Sequence, residues 1–132
     1  MPLKLDLRPH EKIFLGGAVL VNGESRCQLA VLNDVPVLRE KDILKEDEAD
    51  TPCKRIYLAV QLMYIDIPNL GRYHQYYWEQ VRSVILAAPS TTDLIGKVSE
   101  FVLNAQYYQA LKATRELIRY EQELVSNACK PA

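Results

Sequence analysis

Histidine and cysteine are scarce in this 132-residue chain, with two of the first and three of the second, and their placement excludes most catalytic chemistry. His10 and His74 lie in unlike surroundings, and neither belongs to a triad or a metal motif. Cys27, Cys53 and Cys129 form no Cys-x-x-Cys pair and no metal-ligand spacing. Gly16-Gly17 lacks the later glycine and the lysine of a phosphate loop. Glu121 and Glu123 sit two apart on a helix and so point to different faces. No enzyme activity, metal or cofactor is expected. The chain also has no apolar run near the roughly 20 residues of a membrane helix, so no membrane association is expected. It shows no cationic-then-apolar signal segment, and the expectation is a cytoplasmic protein with reduced thiols. Net charge is only −1. No whole-molecule field would hold a polyanion, so any nucleic-acid contact needs a local basic patch.

What the chain does have is a 48% hydrophobic share, enough for a core, and two patterns of using it. Up to about residue 45 apolar residues alternate or come in strand-length bursts around glycines. After Thr51-Pro52 they recur every three or four positions. A period near 2 builds sheets and a period near 3.6 builds helices. The fold class is therefore α+β: a small antiparallel β module over residues 1–45, an acidic linker over 46–51, and a bundle of about four α-helices over 52–132. Residues 1–50 hold seven Lys/Arg against ten Asp/Glu, and residues 51–132 nine against seven. Much of the first imbalance is Glu46-Asp47-Glu48-Ala49-Asp50, a solvated linker.

Within the β module, Leu3, Leu5 and Leu7 alternate with Lys4, Asp6 and Arg8, as in a half-buried strand. Strands follow over 13–15, 18–21, 28–32 and 35–38. Gly16-Gly17 marks a turn or bulge, and Asn22-Gly23 is the strongest hairpin signal, because both residues tolerate positive φ. Pro36 suits an edge or a strand start. In the second half, Thr51-Pro52 offers an N-cap hydroxyl and a proline at the first helical position. Ile56, Val60, Met63 and Ile67 form one stripe. A second helix runs from about Leu70 to Ala87, with Tyr73, Tyr77, Val81, Val84 and Ile85 inward. A third is capped by Ser90 or Thr91 and uses Leu94, Val98, Phe101 and Val102. A fourth begins near Ala105 and uses Tyr108, Leu111, Leu117, Ile118 and Leu124 or Val125, with a frayed tail beyond Ser126.

Two features could touch RNA. The cluster Tyr73, Tyr76, Tyr77, Trp78 could stack bases, although aromatics at helical spacing more often fill a core. Lys112, Arg115 and Arg119 share a helix with Glu116 and Glu123, as a solvated face would. The cations Lys4, Arg8, Lys12 and Arg39 carry more weight as an RNA-binding set. They converge if the first and last strands of the sheet pair, and arginine forks suit phosphate oxygens and guanine edges. Arg39→Ala is then expected to cost affinity without unfolding the domain. The edge near Pro36 and the aromatic helix face are candidate surfaces for a homodimer or other assembly.

Several segments, taken in order, resemble one family: Met1-Pro-Leu-Lys-Leu5, Glu11-Lys-Ile-Phe-Leu-Gly-Gly-Ala-Val19, Val37-Leu-Arg-Glu-Lys-Asp-Ile43, Thr51-Pro52, Arg55-Ile-Tyr57, Met63-Tyr64, Tyr107-Tyr-Gln-Ala-Leu-Lys112 and Leu117-Ile-Arg-Tyr-Glu121. The chain resembles the bacterial flagellar regulator family FlbT. The resemblance implies a post-transcriptional regulator of flagellin that associates with the 5′ untranslated region of flagellin messenger RNA and promotes its degradation, working beside a small flagellar protein, FlaF. Residues 3–43 are also similar, more weakly, to the carbon-storage regulator CsrA. That family forms a strand-exchanged dimer whose first and last strands grip a GGA-bearing RNA loop; its closing arginine matches Arg39 and its basic first-strand end matches Lys4 to Arg8. Asp6, the shorter central hairpin and the extra residue Leu38 depart from that pattern. The rival expectation is a protein-binding adaptor or chaperone-like factor acting on flagellin, FlaF or a nuclease without touching RNA.

Overall fold

The computed structural model describes residues 3–128, which divide into two compact units, one ending at Ile43 and the other beginning at Leu44. The first is built of strands and turns and closes on a single turn of 3-10 helix, Glu40–Asp42. Its strands are β1 (Leu3–Leu7), β2 (Lys12–Leu15), β3 (Ala18–Val21), β4 (Cys27–Val31) and β5 (Val37–Arg39). β1 pairs antiparallel with β4, Leu3 opposite Val31 and Leu7 opposite Cys27. β2 pairs with β3, Lys12 opposite Val21 and Leu15 opposite Ala18. Together these ladders make one long two-armed ribbon, bent where residues 8–11 pass residues 22–26.

The ribbon closes at Gly16-Gly17. Leu15 and Ala18 are partners, so the loop holds only these two residues, and their φ values are 56° and 97°. Positive φ at both positions is the geometry that matches strand twist, and glycine adopts it without a Cβ penalty. Asn22-Gly23, expected to be the hairpin, lies instead in the bend. The Asn22 side-chain amide donates to the carbonyls of Leu7, Arg8 and Ser25, while its Oδ1 accepts from the Gly23 N–H. An asparagine that fits a turn also fits a kink, where its side chain can answer backbone groups the ladder leaves open.

A second correction concerns the ends of the module. β5 pairs with β2, Ile13 opposite Arg39 and Leu15 opposite Val37, and not with β1. The sheets are β1-β4 and β3-β2-β5. The reason is the ribbon itself: β4 lies along β1, and the Gly16 N–H donates to the Pro36 carbonyl at 2.9 Å, which starts β5 alongside β2. Leu5, Leu7 and Ile13 are buried and packed with Cys27, Leu29, Val31 and Val37. This is a small core.

The second unit is helical: α1 (Pro52–Ile65), α2 (Leu70–Ala87), α3 (Thr92–Leu103) and α4 (Tyr107–Ala128). Thr51 caps α1 as expected, its hydroxyl accepting the Lys54 N–H at 3.2 Å. α1 packs on α2 and α4, and α3 on α4. The buried stripe of α1 is Cys53, Ile56, Tyr57, Ala59, Val60 and Met63; Ile67 lies past the helix end and is exposed. Asp66-Ile67-Pro68 breaks the chain there because proline cannot continue an α-helix interior. In α3 the stripe includes Ile95. In α4 the buried residues are Ala110, Leu111, Thr114 and Leu117, while Tyr108 and Val125 are exposed. α4 starts at Tyr107, after Ala105 takes a φ of 57°, and Leu111 and Leu117 lie on its buried face as expected. It continues beyond Ser126 to Ala128, where a frayed tail was expected.

Two polar clasps tie this unit. Gln61, buried on α1, accepts the Leu44 N–H at 2.8 Å and donates to the Leu44 carbonyl at 3.0 Å. Its amide thus imitates a strand partner for an otherwise unpaired residue. On α4, Glu121 accepts the Cys53 N–H at 3.1 Å, placing a carboxylate at the positive end of α1. Its other oxygen is buried without a hydrogen-bond partner.

Candidate nucleic-acid interface

The bend of the ribbon gathers charge. His10 takes a φ of 60°, and the Glu11 N–H closes the turn on the Arg8 carbonyl at 3.1 Å. This tucks the Glu11 side chain inward until only 3% of it is exposed. A carboxylate so placed needs partners. Its Oε1 accepts the Arg8 backbone N–H at 2.9 Å, and Arg8 Nε stands 3.5 Å from the same oxygen. From β5, Arg39 Nε donates to Oε2 at 3.1 Å, and Arg39 Nη2 reaches Oε2 at 3.0 Å and Oε1 at 3.2 Å. Arg39 Nη2 also donates to the Asp6 carbonyl. The Arg8 N–H, and then the guanidinium of Arg39, hold the Glu11 carboxyl below the ordinary range against the opposing effect of burial.

Arg8 and Arg39 are therefore brought together through a shared carboxylate rather than through neighbouring strands. Arg8 keeps 65% of its side chain exposed and Arg39 30%. Lys12 is exposed one residue beyond Glu11, and its backbone N–H donates to the Glu40 carboxylate at 3.2 Å. Lys4 is exposed on β1 opposite Ala30, with no ion pair to this group among the described residues. Glu11 has no role in the reading of the sequence beyond its place in a motif. A signal for it exists: a lone carboxylate between a turn and an apolar strand, flanked by Arg8 and Lys12.

The aromatic cluster divides. Tyr77 is fully buried, its hydroxyl 2.8 Å from Ser99 Oγ, and burial raises its pKa to about 12. Trp78 stacks edge-on against it at 5.0 Å and stays partly exposed. Tyr73 donates to Asp66. Tyr73 and Tyr76 line an open groove of about 670 Å³ in the helical unit with Leu44, Leu58, Leu62, Arg55 and Arg72. On α4, Lys112 lies 4.9 Å over the Tyr108 ring, and Arg115 approaches the Tyr57 hydroxyl at 3.5 Å. Among the described residues no group of three or more His, Cys, Asp or Glu side chains could hold a metal ion, and no helix is long and apolar enough to cross a membrane. Cys129 lies outside the described residues.

The family described as "Flagellar protein FlbT" matches residues 3–125. The chain belongs to the FlbT family. A relative from Bradyrhizobium diazoefficiens, "Probable flagellum biosynthesis repressor protein FlbT 1", is 44% identical over 125 residues, covering 94% of this chain and 85% of the relative. A "Probable flagellum biosynthesis repressor protein FlbT" from Rhodopseudomonas palustris is 42% identical over 128 residues, covering 96% and 99%. The "Flagellum biosynthesis repressor protein FlbT" of Caulobacter vibrioides is 38% identical over 125 residues, covering 93% and 89%. These FlbT names describe repressors, not enzymes. No solved structure gives a significant match.

Proposed function

We propose that this FlbT protein is a cytoplasmic, non-catalytic regulator of flagellar synthesis that contacts the 5′ untranslated region of flagellin messenger RNA and promotes its degradation. Its relatives' names as flagellum biosynthesis repressors support the regulatory part. The observation that carries the RNA contact is the Glu11 cluster. It fixes one arginine fork, presents a second arginine to solvent, and is followed at once by the exposed Lys12. A guanidinium held in place loses less freedom on meeting a phosphate than a free one. The charges nearly cancel locally, so the contact is a short-range one. Lys4 extends the surface along β1, and a FlaF-like protein is the proposed partner for the helical unit.

Titration of the purified protein against the flagellin leader at several salt concentrations tests this. Direct contact weakens steeply with salt, because each neutralised phosphate releases counterions. Alanine at Lys4, Arg8 and Lys12 lowers affinity across sequences and reduces the salt slope by about one for each phosphate that is no longer neutralised. An affinity that the triple substitution leaves unchanged refutes the assignment. The second reading, an adaptor binding a protein without RNA contact, is favoured by the leucine- and tyrosine-lined groove between residues 44–49, α1 and α2. Regulation that survives loss of RNA binding, but not substitution of Leu58 and Leu62, would select it.

A further inference from the structure

The apolar residues of β3 lie outside the core. Every residue of the strand is exposed, with Val19 at 67%, Leu20 at 39% and Val21 at 60%. A strand with one buried face would show alternation. Among the described residues β3 has β2 on one side and no strand on the other, so its outer N–H and C=O groups are unpaired within its sheet.

Two other sheet edges are blunted: β1 carries Lys4 and Asp6, and β5 has three residues and Pro36 just before it. β4 has no charge of its own, but its apolar residues Cys27, Leu29 and Val31 turn into the core, which those of β3 do not. Charge, proline and shortness are how edge strands avoid pairing with other chains. β3, with four residues, has neither charge nor proline, and no charged residue stands anywhere between Lys12 and Glu24. The unit is also close to the size below which small domains need a disulfide, a metal or a partner chain.

We propose that β3 is the seam of a homodimer, pairing antiparallel with β3 of a second copy across a two-fold axis. The occupant is a second copy because the strand is self-compatible: an uncharged Ala-Val-Leu-Val meets itself without like-charge repulsion. Leu20 stands opposite the fully buried Ile13 and so shares its face; the partner's Leu20 extends that core row. Val19 and Val21 form a matching row on the other face. Each three-stranded sheet becomes half of a six-stranded one. This inference stands apart from RNA binding.

Sedimentation of the full chain over a wide concentration range reads it directly, and a monomer–dimer equilibrium is expected. Val19→Lys and Val21→Lys, both on the more exposed face, should weaken association at least tenfold while circular dichroism and melting stay those of a folded protein. Leu20→Lys should do the same if it folds. Hydrogen exchange of the unaltered protein gives a reading independent of any variant: β3 amides should exchange more slowly as concentration rises. A chain that is monomeric at every concentration, a dimer indifferent to both valine substitutions, or β3 amides whose exchange ignores concentration would each overturn the proposal.

Discussion

Glu11 and Arg39, 28 residues apart in sequence, meet through Arg39 Nε and Nη2 on both carboxylate oxygens at 3.0–3.2 Å. The pair ties the bend of the ribbon to the strand that arrives last. The same two side chains thus serve the fold and the proposed interface, which governs how substitutions there must be read.

Acid should loosen the β unit through Glu11. Its folded carboxyl is held below its ordinary value, so its contribution is present above the unfolded glutamate range of about 4.3 and is lost as pH falls through the lower folded value. Asp50 and Asp66 shift in the same direction, beside Lys54 and by accepting from Tyr73. Glu11→Gln should lower the melting temperature at neutral pH and flatten its acid limb. A variant whose melting profile parallels the parent's from pH 3 to pH 7 would contradict this.

Arg39→Ala should not behave as a clean interface variant, contrary to what the sequence suggests. Removing the guanidinium strands a buried carboxylate, so the melting temperature should fall along with any RNA affinity. Arg39→Lys keeps the charge but loses the fork and should fall between. Equal melting temperatures for the alanine variant and the parent would separate Arg39 from the fold.

Gln61→Ala should destabilise the helical unit by about 1–3 kcal/mol, the usual cost of leaving buried backbone groups without partners. Urea unfolding measures it. Gln61→Glu, which can still accept the Leu44 N–H but sets a buried carboxylate oxygen against its carbonyl, should cost at least as much as the alanine at neutral pH. No change in the urea midpoint of Gln61→Ala would mean that water replaces the amide without loss.

The Cys53 thiol should resist modification in the folded protein. Burial first, and the Glu121 carboxylate second, push its pKa up. Its neutral form therefore stabilises the fold below the ordinary thiol value of about 8.5, and that contribution fades as pH rises beyond it. Mass mapping after brief treatment with an aromatic disulfide should find Cys27, which is half-buried, labelled before Cys53. Labelling of both at equal rates under native conditions would refute the packing described.

Periodicity was enough to place the strands and helices, because the alternation of Leu5 and Leu7 and the spacing of Ile56, Val60 and Met63 each report a buried face directly. Pairing was less legible. Two glycine-bearing dipeptides competed for one hairpin, and only the partnering of Leu15 with Ala18 decides for Gly16-Gly17. Strand order followed from that choice, so the expected neighbours β1 and β5 came out apart. At the candidate site the cations were legible as residue types, but the group that organises them was not. Its partners are a backbone N–H three residues away and a side chain 28 residues away, and neither leaves a periodic trace. The exposure of β3 was equally hidden, since a run of Ala-Val-Leu-Val reads as core until its neighbours are known.

The ribbon's geometry also sets an order of assembly. Contacts close to Gly16-Gly17 join residues near each other in the chain, so zippering outward from that loop is a microsecond event with little entropy to overcome. Arg39 must cross a far longer stretch to reach Glu11. The arms should therefore form first, with the docking of β5 as the slow step that completes the unit.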